Sequence, residues 1–289
     1  MAARKKKRRK LDLLILSDIH LGAYGCKARE LLNYMKSIEP KEVILNGDII
    51  DIWQFSKHYW PAGHMKIVSR IFKWMSKGVK ITYITGNHDE MLRKFEGFKA
   101  GSLEIKNKIT LNLNNKKAWV FHGDVFDVTM QNSRWLTKLG AIGYDILILI
   151  NQVVNSICQF LGREKISLSK RVKNSVKSAV KFINHFEETA TSIAAENGFD
   201  YVICGHIHKP EIKTYHTKKG TVTYLNSGDW IENLTALEYH KGKWKIFQYQ
   251  DKNFEVEHVD EYVEADDLII KSSKELYGRL VEEMIIRKI

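Results

Sequence analysis

Five short apolar segments recur along the 289-residue chain, and each is cut off by acidic or imidazole side chains. They cover residues 11–16, 43–45, 79–84, 119–121 and 201–203. They are rich in Val, Ile and Leu and too short for helices, which predicts central strands buried on both faces. Amphipathic stretches lie between them. Leu31, Leu32, Met35 and Ile38 share one helical face over 28–38, with Pro40 expected to end that helix; Val68, Ile71, Phe72 and Met75 do the same over 65–75. Strands alternating with helices predict an α/β domain. Later, 211–215 and 221–225 flank a Lys-Lys-Gly turn, and 234–239 and 244–249 flank His-Lys-Gly-Lys, so the end of the domain reads as two antiparallel hairpins.

Composition excludes several classes. With 44% hydrophobic and 28% charged residues, the chain is neither disordered nor collagenous. Cys26, Cys158 and Cys204 are odd in number and far apart, which predicts a reducing compartment, no disulfide framework and no thiolate metal site. The net charge is +12, of which seven charges belong to the run 4–10, leaving a mildly basic body of +5. That run precedes an apolar stretch too short for a signal peptide and interrupted by Asp12. Residues 1–10 therefore read as a basic tail entering a buried strand, either solvated or free to touch nucleic acid, anionic lipid or an import receptor. Residues 11–250 form the expected domain. Residues 251–289, with eleven acidic against six basic side chains, form a peripheral extension.

The segment 130–195 breaks the rhythm with two long helical patterns. Ile142, Ile146, Leu149, Ile150, Val153, Ile157 and Phe160 fall at helical spacing, and 146–162 carries no charge. Asn151, Gln152, Asn155, Ser156 and Gln159 make it a poor membrane span. The next helix sets Val172, Val176, Val180 and Ile183 beside a stripe of Lys170, Lys173, Lys177 and Lys181. This is either a helix pair packed on itself with a solvated basic edge, or an apolar and cationic lid over a site.

The chemistry lies where the strands end. The first is followed by Asp18 and His20, the second by Asp48 and Asp51, the third by Asn87, His88 and Asp89, the fourth by His122 and Asp124, the fifth by His206 and His208. Carboxyl ends of strands in an open α/β sheet are where sites form. Carboxylates, imidazoles and an amide without thiolate suit Mn, Fe, Zn or Ni. Asp18, His20, Asp48, Asn87, His122, His206 and His208 make seven candidate ligands, too many for one open metal but enough for two that share Asp48. Such a pair, about 3.5–4 Å apart, clamps both oxygens of an in-line displacement. Asp-x-His and His-x-His suit strand geometry, in which residues two apart face the same way.

The order DxH, GDxxD, GNHD, HGD and GHxH resembles the calcineurin-like metallophosphoesterase superfamily over residues 11–249. The resemblance implies a four-layer α/β/β/α sandwich with an inserted helical lid. It implies that Asp18, His20, Asp48 and His208 hold one metal, and Asp48, Asn87, His122 and His206 the other. His88, paired with Asp51, would protonate the leaving group or stabilise the transition state. Asn87 and His206 would also meet substrate. Within the superfamily, SDIHLG, GDIIDIW, the insertion after HGD and GHIHKP resemble the UDP-2,3-diacylglucosamine hydrolases of lipid A synthesis. That likeness implies a nucleotide-linked lipid substrate cleaved at its pyrophosphate, two divalent ions with Mn first, and Lys177 and Lys181 at the substrate. It also implies a cytoplasmic protein peripheral to the anionic inner membrane of a bacterium. One departure stands out: that branch carries GNRD, where this chain has His88 after Asn87. The alternatives are the same chemistry on nucleic acid or a cyclic nucleotide, and a non-catalytic scaffold, which would need missing ligands. The oligomeric state is not legible. His58 and His64 read as loop residues, His185 as solvated, and His216, His240 and His258 receive no role.

Overall fold

The computed structural model of the chain describes residues 8–54, 60–126 and 168–254, with the side chains of 168–179 outside that description. The run 1–7, His58, the helical pattern at 142–160, Cys158, the side chains of Lys170, Lys173 and Lys177, and the extension 255–289 with His258 lie outside the described residues.

The chain runs β1 (Arg9–Leu16), α1 (Ala28–Ser37), β2 (Ile38–Asn46), α2 (Ala62–Met75), β3 (Lys80–Ile84), β4 (Lys99–Ala100), β5 (Leu103–Lys106), β6 (Lys108–Leu113) and β7 (Lys116–Phe121). It continues with α3 (Leu168–Glu196), β8 (Tyr201–Cys204), β9 (Glu211–Thr217), β10 (Gly220–Asn226), β11 (Thr235–His240) and β12 (Lys243–Gln248). One sheet has the order β12-β11-β1-β2-β3-β5-β4, the other β6-β7-β8-β10-β9. In the first, β1, β2, β3 and β5 are parallel; in the second, β7, β8 and β10 are. The two late hairpins are β9–β10 and β11–β12, both antiparallel.

Strand alternation builds the layers. Leu13 and Ile15 point into a core between the sheets with Ile44, Ile84, Val120, Ile203, Leu225 and Leu237. Leu14 and Leu16 point the other way, onto Leu31, Met35, Ile67 and Ile71 of α1 and α2. On the far side, Phe186, Ala190 and Ala194 of α3 pack on Val202, Cys204, Val222 and Tyr224 of the second sheet. The result is an α/β/β/α sandwich, as the motif order implied.

Four local readings change. Pro40 lies inside β2, while α1 ends earlier, at Ser37. Strand β1 starts at Arg9, inside the stretch read as tail, because Arg9 forms a two-pronged bond to the buried Glu238 and Arg8 lies 3.6 Å from Glu39. His64 belongs to α2 and is buried; its Nδ1 accepts the Gly22 N–H at 3.0 Å. The C-terminal half of α3, read from sequence as part of an inserted pair, is the outer layer of the sandwich itself, while Lys181 and His185 are exposed on it.

Candidate metal centre

The parallel strands β1, β2, β3, β7, β8 and β10 are followed by loops that meet at one rim. Asp18, His20, Asp48, His206 and His208 each adopt left-handed backbone, with φ of +52°, +53°, +53°, +66° and +53°. Left-handed conformation is uncommon outside glycine and carries strain. Here it turns each side chain back over the strand ends. Asp18 and His20 therefore converge through two tight turns after β1 has ended, not through strand alternation.

Asp18 is fully buried; its carboxylate accepts the His206 N–H at 3.1 Å and lies 3.2 Å from His208 Nε2. Asp48 Oδ1 accepts the His88 N–H at 2.8 Å, while Oδ2 lies 3.3 Å from His122 Nε2 and 3.9 Å from His20 Nε2. Asp48 thus sits between two sets of imidazoles. Ligand atoms of Asp18, His20 and His208 lie within 4.8 Å of one another, and so do those of Asp48, His122 and His206 and those of His20, Asp48 and His88. Asp51 Oδ2 faces Nδ1 of His88 at 3.1 Å and Nδ1 of His20 at 3.4 Å. Trp53, largely exposed, lies with its ring centroid 4.3 Å from that of His88.

Electrostatics follow from burial of mixed charges. Burial raises the carboxyl groups of Asp18 and Asp48, but the imidazoles beside them hold both below the usual range. Burial works against a charged His208, and Asp18 overrides it, pushing the imidazole up to about 9. Burial likewise opposes charge on His122 and His88; Asp48 outweighs it at His122, and Asp51 and Asp48 do so at His88. Asp51 is held low against burial by its bonds to His20 and His88.

The donor set fits divalent cations. His20 Nε2, His122 Nε2 and Asn87 Oδ1 are buried without a hydrogen-bond partner among the described residues. Leaving such atoms unmet costs about 1–3 kcal/mol each, which a bound cation would remove. The Asn46 carbonyl accepts from His122 Nδ1 at 2.9 Å, which fixes the ring with Nε2 toward Asp48. Close packing of glycine admits these side chains. A Cβ on Gly47, at φ +81°, would fall on the His122 ring, and one on Gly86 would fall on Asp48 Oδ1.

Other supporting residues carry no role in the sequence reading. Asp89 is buried and accepts from Ile49 N–H, Gly86 N–H and Tyr83 O–H at 2.9, 2.6 and 2.6 Å, stapling the loops after β2 and β3. The loop after β10 supplies a sixth contribution. Trp230 N–H donates to the Asp18 carbonyl at 3.1 Å, Asn233 Nδ2 to the His208 carbonyl at 2.7 Å, and the Asp229 carboxylate lies 4.0 Å from His208 Nδ1. The signal for this loop was the NSGD sequence directly after an apolar strand, the same pattern as the other five. Lys181 is exposed on α3, and Lys177 lies among the side chains outside the description.

Fold and site together define a metal-dependent hydrolase of phosphoric esters or pyrophosphates. The family model for calcineurin-like phosphoesterases matches residues 11–210, and the chain belongs to that family. Its relatives include a UDP-2,3-diacylglucosamine hydrolase of Aliivibrio fischeri, 24% identical over 254 residues, covering 84% of this chain and all of that one. The protein of the same name in Stenotrophomonas maltophilia is 24% identical and covers 82% of this chain and 98% of its own. Among solved structures, an archaeal phosphodiesterase aligns at 14% identity and a TM-score of 0.40, covering 82% of this chain and 98% of its own. No helix among the described residues is long and apolar enough to cross a membrane.

Proposed function

We propose that the chain is a dinuclear hydrolase of the pyrophosphate bond in UDP-2,3-diacylglucosamine, the compound named in its relatives. The single observation that carries the dinuclear reading is Asp48, whose Oδ2 lies between His122 Nε2 at 3.3 Å and His20 Nε2 at 3.9 Å. Asp18, His20, Asp48 and His208 would hold one divalent ion, and Asp48, Asn87, His122 and His206 the other; the donor types suit Mn, Fe, Zn or Ni, and the likeness to the lipid A branch puts Mn first. Bound there, the two ions supply a nucleophile at neutral pH and charge stabilisation on the reacting phosphate.

The protein's own residues supply the proton and the geometry. Asp51 orients His88 through Nδ1, so Nε2 is the atom that donates to the departing phosphate oxygen. Asn87 and His206 border the reacting phosphate, and Lys177 and Lys181 on α3 meet anionic groups further along the substrate. Peripheral contact with an anionic membrane would follow from the acyl chains, which leave water only if a lipid surface or the 130–195 segment covers them.

His88 in place of the arginine of the GNRD branch supports a second reading, in which the same machinery acts on another phosphodiester. Hydrolysis assays with Mn²⁺ separate the two. UDP-2,3-diacylglucosamine, a small chromogenic phosphodiester and DNA are compared at equal concentration. Preference for the lipid nucleotide, with release of the nucleoside monophosphate and the sugar-lipid phosphate, supports the first. Preference for DNA, with a steep salt dependence, supports the second.

A further inference from the structure

Glu187 is a fully buried carboxylate on α3. Its Oε1 lies 3.1 Å from Lys209 Nζ, and its Oε2 lies 3.4 Å from Lys213 Nζ and accepts from the Tyr215 hydroxyl. A carboxylate taken out of water is tolerated only where donors replace that water. Three donors converge on this one, and the first belongs to the residue directly after His208.

The loop 205–210 is tied on one side by the site's own elements. Asn226 Nδ2 bonds the Gly205 carbonyl at 2.8 Å, Asn233 Nδ2 bonds the His208 carbonyl at 2.7 Å, and His206 N–H bonds Asp18. On the other side it is tied to α3, by Glu187 to Lys209. The neighbouring Phe186 fills the space over Gly123, where a Cβ would come within 2.8 Å of its ring, and lies 6.4 Å from the His206 ring. The two imidazoles of the loop differ in packing. The His208 side chain is 33% exposed, while His206 is buried, so His208 depends more on where the loop is held.

We propose that Glu187 is a positioning residue: through Lys209 it holds the 205–210 loop so that His208 stays beside Asp18, and it thereby sets the affinity of the Asp18, His20 and His208 cluster for a divalent ion. The inference rests on the dinuclear reading.

The test is Mn²⁺ binding to the metal-stripped full-length chain, followed by calorimetry and by the exchange-coupled electron paramagnetic resonance of a dinuclear pair. Wild type is expected to take two ions. Glu187→Gln and Lys209→Met are each expected to keep one ion and to bind the second about 10–100-fold more weakly, the usual effect of losing an outer-shell partner. Turnover lost at low Mn²⁺ should return as Mn²⁺ is raised, and a wild-type denaturation midpoint of the metal-free variants excludes a merely loosened fold, which excess metal would also rescue. If Glu187→Gln fails to fold, Lys209→Met decides, since it leaves Glu187 paired with Lys213 and Tyr215. Wild-type affinity for both ions in the variants overturns the proposal, as does equal weakening of both. Wild type binding fewer than two ions removes the dinuclear reading itself, a result visible before any variant is made.

Discussion

Nδ1 of His88 lies 3.1 Å from Oδ2 of Asp51, a carboxylate with almost no exposed surface. The same oxygen faces Nδ1 of His20 at 3.4 Å, so one buried charge orients two imidazoles. His20 is left with Nε2 toward Asp48; in the proposed mechanism that atom would ligate a metal and His88 Nε2 would transfer the proton.

For His88, the expected result of His88→Ala is intact metal binding with turnover lower by about 10²–10⁴-fold, the usual worth of a general acid. Asp51→Asn removes a group that raises the His88 pKa against burial. The protonated acid is then lost at lower pH, so the alkaline limb of the kcat/KM profile should move down. An unmoved limb in Asp51→Asn would mean that another group supplies the proton.

Asp48 is shared. Asp48→Ala should abolish turnover and the binding of both ions, measured by metal analysis after dialysis. Two bound ions and a normal rate in this variant would falsify the bridging role.

Gly47 and Gly86 test the packing of the centre. Gly47→Ala puts a Cβ onto the His122 ring at a left-handed φ, and Gly86→Ala puts one onto Asp48. Each should cost about 1–3 kcal/mol of stability through overpacking, with metal affinity falling alongside. Denaturant titration with and without Mn²⁺ separates the two effects.

His64 gives a pH signature away from the metal ligands. Burial lowers its pKa to about 4, against 6.5 when unfolded. The unfolded chain therefore binds the extra proton first, and stability is full above about pH 6.5 and declines as pH falls toward about 4. The contribution is about 2 kcal/mol after allowance for partial screening. His64→Gln should lose this part of the pH dependence, read as the difference in denaturation midpoint between pH 7 and pH 5. A wild-type slope in the variant would assign the effect elsewhere.

Charge removal at Lys177 and Lys181 should weaken hydrolysis of a lipid nucleotide far more than that of a small chromogenic phosphodiester, since each lysine near an anionic surface is worth about 1 kcal/mol. Equal losses on both substrates would make the stripe purely structural.

The sequence alone determined the sandwich's central strands and the residues at their ends. Uniformly apolar runs have few places to go except the middle of a sheet, and polar side chains directly after them must sit on its rim. The seven candidate ligands, Asp51 and His88 were legible for that reason. Strands β4, β5 and β6 were not, because 103–106 and 108–113 alternate apolar with polar residues at half-exposed positions and carry no buried run. His64 reads as a loop residue beside Pro61, yet Pro61 precedes the helix and the imidazole turns inward to the Gly22 N–H.

Only the tertiary structure decided which ligands meet and what holds them. Convergence depends on left-handed turns at Asp18, His20, Asp48, His206 and His208, and non-glycine residues take up that conformation only when the surrounding packing over-determines it. The same holds for Asp89, Asp229 and Glu187. Each is an ordinary acidic residue in the chain. Asp89 reaches Ile49 and Glu187 reaches Lys209 on other elements, and Asp229 folds its own loop through the 231–233 N–H groups so that it stands beside His208.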